Sequence, residues 1–144
     1  MRGFISGTIA WPLPFIINHG AYYFNFSTLR WGDFAGILIY GTRPVNLLEN
    51  LFAIAGVFFF LGFLGIVFSY LIPQISSQYY LFKSWFYGIA LWFLFFATTV
   101  LFKLPHLEII PLRTAFVNFI SASLWGITLG LSLKWFDSRT KLQK

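Results

Sequence analysis

The chain contains no cysteine. That excludes a disulfide scaffold, a thiol nucleophile and any cysteine-ligated metal or cluster. Charge is almost as scarce. Only 10% of the 144 residues are Asp, Glu, Lys or Arg, and four of these are acidic. A water-soluble domain has about a quarter of its residues charged, so this chain could not cover a soluble surface. Four long stretches hold no Asp, Glu, Lys or Arg at all: residues 3 to 29, 50 to 82, 84 to 102 and 114 to 133. Nucleic-acid binding requires basic residues gathered on a polar face. Here they stand singly at the edges of apolar runs, so the net charge of +6 points to lipid headgroups instead.

What fills the chain is apolar. Hydrophobic residues make up 58% and aromatic residues 23%, with 20 Phe. Lipid is the solvent that suits this composition. Roughly 20 apolar residues in a helix cross the hydrocarbon core. The pattern therefore predicts an all-α, polytopic membrane protein forming a single domain. Its four transmembrane helices lie at about 3–24, 50–72, 80–102 and 111–135. A basic tail follows at 136–144. Pro73 with Gln74, Ser76, Ser77 and Gln78 marks a polar turn after the second span. The run after Arg2 could suggest a signal peptide. It contains Pro12 and Pro14 and reaches Phe26 without a small-residue cleavage site, so it reads as a retained first helix.

Pro12 and Pro14 fall inside that first span. Each removes a backbone N–H, so a kink or local unwinding is expected there, and the freed carbonyls need other partners. Between spans one and two, residues 31–41 are apolar but too short to cross. They read as an interfacial or re-entrant segment, with Trp31 and Tyr40 at headgroup depth. Trp11, Trp85, Trp125 and Trp135 also lie at or near span ends or within a turn or two of them, and for the outer ones interfacial anchoring is the ordinary role.

Lys and Arg counts set the orientation. One side carries Arg2, Lys83, Lys134, Arg139, Lys141 and Lys144; the other carries Arg30, Arg43, Lys103 and Arg113. The bias places both termini in the cytoplasm, with the chain multi-pass in the cell (inner or plasma) membrane.

Helices in lipid associate through close packing and polar contacts. Ala122, Gly126 and Gly130 recur every four residues in the last span. Ala55, Gly62 and Ser69 recur every seven in the second, and Gly3 with Gly7 opens the first. These are helix-packing positions within one bundle, or alternatively a homodimer seam along Ala122, Gly126 and Gly130.

Candidate chemistry is thin. No ionisable Asp, Glu, Lys or Arg falls within the four spans, which argues against proton-coupled drug antiport. Asn18 and His19 lie beyond the Pro12/Pro14 break. The four residues could line a hydrophilic pocket, with His19 able to carry a proton. The simpler reading places Asn18 and His19 at headgroup depth, hydrated. Asn118 reads as an interhelical hydrogen-bonding residue. His106 and Glu108, even with His19, lack metal-ligand spacing, so no metal and no cofactor is implied. Asp33 and Glu49 each have a nearby Arg, Arg30 and Arg43, and ion pairs are the plain explanation. No nucleophile elbow or phosphate-binding Gly loop appears. The expected partners are membrane lipids and, through the packing faces, a second copy or another membrane protein.

Several short aromatic motifs resemble a family of small membrane proteins from Gram-positive bacteria, the YqhR-type proteins. The motifs are Gly20 with Tyr22-Tyr23-Phe24 and Phe26, then Trp31-Gly32-Asp33, Tyr87-Gly88, Leu91-Trp92-Phe93, and Trp125-Gly126 with Gly130. The resemblance runs over nearly the whole chain. It implies a four-helix membrane topology and carries no catalytic residue. The functional expectation is a non-enzymatic accessory or scaffold subunit. The competing expectation is a small-solute or lipid-handling transporter with its pocket at the broken first helix.

Overall fold

A computed structural model describes residues 1–72, 79–107 and 109–141. The polar turn expected at Pro73 to Gln78, Glu108 and the last tail residues, Lys144 among them, lie outside the described residues. Among the described residues six helices follow in order: α1 (Arg2–Ile9), α2 (Pro12–Tyr23), α3 (Trp31–Tyr40), α4 (Leu47–Leu71), α5 (Tyr80–Leu101) and α6 (Leu112–Lys141). No strand occurs among the described residues. Three helices, α4, α5 and α6, are long and apolar enough to cross a membrane, with mean hydropathies of 2.7, 1.6 and 1.5. α6 differs from the expected boundary. It continues past Trp135 through Asp137 and Arg139 to Lys141, where a separate tail was expected. Lys, Asp and Arg at i, i+3 and i+5 do not oppose a helix, and no Gly or Pro stops it.

Asn46 caps the start of α4. Asn46 Oδ1 accepts the Glu49 backbone N–H at 2.8 Å, and Glu49 accepts from Val45 N–H and Asn46 Nδ2, both at 2.8 Å. This corrects the expected Glu49–Arg43 ion pair. Glu49 is held by the Val45 N–H and the Asn46 amide just before the helix, while the Arg43 guanidinium reaches the Thr28 carbonyl at 3.5 Å.

The helices are joined by two small-residue seams. In the first, Gly3 and Gly7 of α1 lie against α4. A Cβ on Gly3 would come within 2.5 Å of Ser69 Oγ and 2.6 Å of the Gly65 carbonyl, and one on Gly7 would collide with the Leu61 carbonyl. The two backbones are nearly in contact, which only absent side chains permit. In the second seam, Ser84 and Gly88 of α5 meet Ala122, Gly126 and Gly130 of α6. A Cβ on Gly88 would sit 2.5 Å from the Ala122 carbonyl. The small face of α6 is thus covered by α5 of the same chain. Gly62 and Ser69 face α1, whereas Ala55, at the same heptad position, is exposed.

The reason for that exception lies in the break between α1 and α2. α1 packs on both α4 and α6. Past the break, α2 packs on α6, and α3 takes the position beside α4. Gly32 of α3 lies near Ile54 and Asn50, and Ile39 lies near Gly56. α3 also carries Phe34 and Ile37 into a second apolar cluster with Leu29 and Leu107, against Phe95 and Phe96 of α5. Gly41 ends α3 in the left-handed region (φ 76°), and Pro44 then folds back onto Gly36.

The main core runs down the centre: Ala10, Leu61, Leu64, Phe68, Trp125, Leu129 and Leu133. Trp125 does not anchor at an interface. It is 2% exposed, and its indole N–H donates to the Gly7 carbonyl at 3.1 Å. A buried indole needs such a partner, and glycine at position 7 leaves its carbonyl open to one. α5 is the outermost of the long helices, with only 17% of its apolar window covered by protein. Arg2 and Asp137 form an ion pair at 3.3 Å, so the start of α1 and the end of α6 lie side by side.

Candidate functional site

The first helix breaks at Ala10 and Trp11. Both residues keep right-handed helical angles (φ −71°, ψ −14° and φ −72°, ψ −40°), so the chain bends without unravelling. Ala10 N–H still reaches the Ser6 carbonyl at 3.0 Å, and Trp11 N–H turns back tightly to Thr8 at 3.2 Å. Pro12 then occupies the first position of α2, where its missing N–H costs nothing. Pro14 is different. It brings no N–H to the carbonyl of Ala10, a residue with no exposed surface.

Beyond the break, Asn18 is fully buried and holds three elements together. Its Oδ1 accepts the Trp31 backbone N–H at 2.8 Å, fixing the start of α3. Its Nδ2 donates to Asn118 Oδ1 of α6 at 3.2 Å. Asn118 Nδ2 in turn donates to the Thr114 carbonyl at 2.8 Å. Thr114 Oγ1 accepts the Thr28 backbone N–H at 2.9 Å, and the two threonine hydroxyls lie 3.0 Å apart. The network runs from α2 through α6 into the α2–α3 connection and back to the first turn of α3.

Asp33 lies at the same end of the bundle. It is 3% exposed. Its Oδ2 accepts from the Arg30 backbone N–H at 2.7 Å and from Arg30 Nε at 3.1 Å, while Oδ1 takes Nη2 at 2.8 Å. Both oxygens are therefore held by one residue. Hydrogen bonding to the Asp33 carboxylate raises the Arg30 guanidinium pKa above its ordinary value, against the opposing effect of burial. The Arg30 guanidinium also covers the Tyr22 ring at 4.6 Å, and Arg113 faces Phe26 at 5.8 Å.

The sequence-derived pocket residues are placed as follows. Pro14 and Asn18 are buried on one face of α2. Pro12 is exposed and His19 is half-buried. The His19 ring lies 3.8 Å from the Phe15 ring, centroid to centroid, with Nδ1 3.2 Å from the Phe15 carbonyl. The four thus do not share one face. His106 stands in the α5–α6 connection with φ 63°. Among the described residues no three His, Cys, Asp or Glu side chains are grouped to hold a metal. An open cleft of about 640 Å³ occurs at the opposite end of the bundle, between Tyr79, Tyr80 and Phe82 of the α5 end and Lys134, Asp137 and Ser138 of α6.

Thr28, Thr114 and the Trp31 N–H were not singled out from sequence. Thr114 and Asn118 stand four apart in an apolar helix, and that spacing was the available signal. Chemically, the arrangement orients and joins helices. It brings no nucleophile to a base. Comparison with protein-family models, curated proteins and solved structures finds no match.

Proposed function

We propose that this chain is a four-pass membrane protein acting as a non-enzymatic accessory or scaffold subunit. α1 and α2 together form the first span. The 22 positions from Arg2 to Tyr23, the two at the break included, would reach about 33 Å at 1.5 Å per residue, enough for the hydrocarbon core. α3 is then the interfacial or re-entrant element, lodged between α4 and α5. The excess of Lys and Arg near the ends of α1 and α6 assigns those ends to the cytoplasm of a cell membrane. Kinship with the YqhR-type proteins is proposed with this topology.

One observation carries the functional reading. Asp33 is the one buried ionisable side chain among the described residues, and both its oxygens are committed to Arg30. An ionisable group that serves a substrate or proton path must be available to it, and Asp33 is not. The transport reading would place a solute at Pro12, Pro14, Asn18 and His19. Against it stand the exposure of Pro12 and the two hydrogen bonds that occupy Asn18.

The test is extraction from native membranes in mild detergent, with cross-linking before extraction. A stoichiometric membrane partner is the expected result. A strictly monomeric chain with no cross-linked partner would remove the scaffold reading. If His19→Ala then abolished solute or lipid movement in proteoliposomes, the transport reading would replace it.

A further inference from the structure

The open cleft lies where the start of α5 meets the end of α6. At about 640 Å³ it falls within the about 300–1,000 Å³ usual for ligand pockets. Helix length sets its depth. Lys134 stands 22 positions after Leu112, the first residue of α6, which is about 33 Å at 1.5 Å per residue. α5 runs 22 residues from Tyr80 to Leu101. The hydrocarbon core is about 30 Å thick. With both helices crossing it, the cleft opens where acyl chains give way to headgroups.

Two chemistries meet in the cleft. Leu81 and Phe82 form an apolar wall and are both exposed. Phe82 stacks on Phe86 one turn further along α5, with ring planes 20° apart, and Phe86 is exposed as well. This surface continues down the least covered of the three long helices. Lys134, Asp137 and Ser138 supply the polar side, three and four residues apart on one face of α6. Tyr79 and Tyr80 line it from the α5 end.

The charges of the cleft do not balance. Asp137 is met by Arg2 at 3.3 Å. The Ser138 hydroxyl donates to the Trp135 carbonyl at 2.8 Å, which leaves its oxygen as an acceptor. Lys134 makes no ion pair and no hydrogen bond among the described residues. One uncompensated positive charge therefore remains, beside neutral hydroxyls and an apolar wall.

We propose that this cleft seats one phospholipid whose headgroup is a phosphodiester monoanion carrying a neutral polyol, as in phosphatidylglycerol. The phosphate lies against the Lys134 ammonium, a charge-assisted contact. The polyol meets the hydroxyls of the cleft, and one acyl chain follows Phe82 and Phe86. A zwitterionic headgroup fits less well. Its ammonium brings a second positive charge beside Lys134, and the one carboxylate of the cleft already serves Arg2. The proposal rests on α5 and α6 crossing a membrane and not on the scaffold reading.

The experiment offers the full chain, in detergent micelles, equal amounts of phosphatidylglycerol, phosphatidylethanolamine and phosphatidylcholine with identical acyl chains. Native mass spectrometry then counts bound lipid. A single phosphatidylglycerol should be retained about fivefold over the other two, the scale of one basic residue at an anionic headgroup. Lys134→Gln should erase that preference. Lys103→Gln removes the same charge at the opposite end of the bundle and should keep it. Ser138→Trp fills the cleft without changing charge and should lose the complex. Equal retention of the three lipids overturns the proposal. So does a preference that survives Lys134→Gln or Ser138→Trp. Equal losses in Lys134→Gln and Lys103→Gln also overturn it, because general surface charge would then explain the binding. Inorganic phosphate retained as readily as the lipid does the same, since the apolar wall would then contribute nothing.

Discussion

Replacing Asn18 should be far more damaging than replacing Asn118, although the two bond to each other. Asn18→Leu keeps the side-chain volume and removes two hydrogen bonds at once. It leaves the Trp31 N–H without its 2.8 Å acceptor and Asn118 Oδ1 without its donor. An unsatisfied buried polar group costs about 1–3 kcal/mol, so two give about 2–6 kcal/mol. Asn118→Leu orphans only the Asn18 amide, because the Thr114 carbonyl keeps its helical partner; the expected cost is about 1–3 kcal/mol. The double variant leaves only the Trp31 N–H unpaired. It should therefore be no worse than Asn18→Leu alone, and clearly better than the sum of the single variants. Unfolding in mixed micelles by titration with a denaturing detergent, followed by tryptophan fluorescence, gives all three values. If the two single substitutions cost the same, or their effects add, then Asn18 does not bridge α3 and α6 as described.

Glycine-to-alanine substitutions should have opposite outcomes inside and outside the seams. Gly88→Ala and Gly126→Ala drive a methyl into the facing backbone and should destabilise the fold by about 1–3 kcal/mol, as overpacked sites do. Gly20→Ala meets nothing within 4 Å and should leave stability unchanged or raise it by up to about 1 kcal/mol in the same unfolding assay. The absence of native cysteine makes sidedness directly readable. Arg2→Cys with Asp137→Cys should be joined by a bifunctional thiol reagent long enough to replace the two side chains, whose ends meet at 3.3 Å. An impermeant thiol reagent outside intact cells should label Arg43→Cys and Lys103→Cys but not Lys83→Cys; the reverse pattern would invert the topology.

Composition alone determined that this chain folds in lipid. Scarce charge and long uncharged apolar runs point to that solvent, and α4, α5 and the apolar part of α6, the three helices among the described residues long and apolar enough to cross a membrane, fall within those runs. Proline chemistry likewise marked where the first helix breaks, since Pro12 and Pro14 act through a local loss of N–H donors. Which helices meet was not legible. Lipid is as apolar as a leucine face, so hydrophobicity along the chain carries no information about partners. Partner choice rests on shape and hydrogen-bond geometry between residues far apart in sequence. Small-residue spacing marked Gly62, Ser69, Gly126 and Gly130, but only the fold showed that α1 and α5 of the same chain cover them, and that Ala55 lies open beyond the break. The same holds for Trp125, which sequence position placed near an interface and the Gly7 carbonyl drew into the core. At the first span, the sequence identified Asn18 and His19 as neighbours of the break. The tertiary structure separated them, setting His19 against its own helix and Asn18 between α3 and α6, because only Asn18 shares the buried face that Pro14 and Ala10 define.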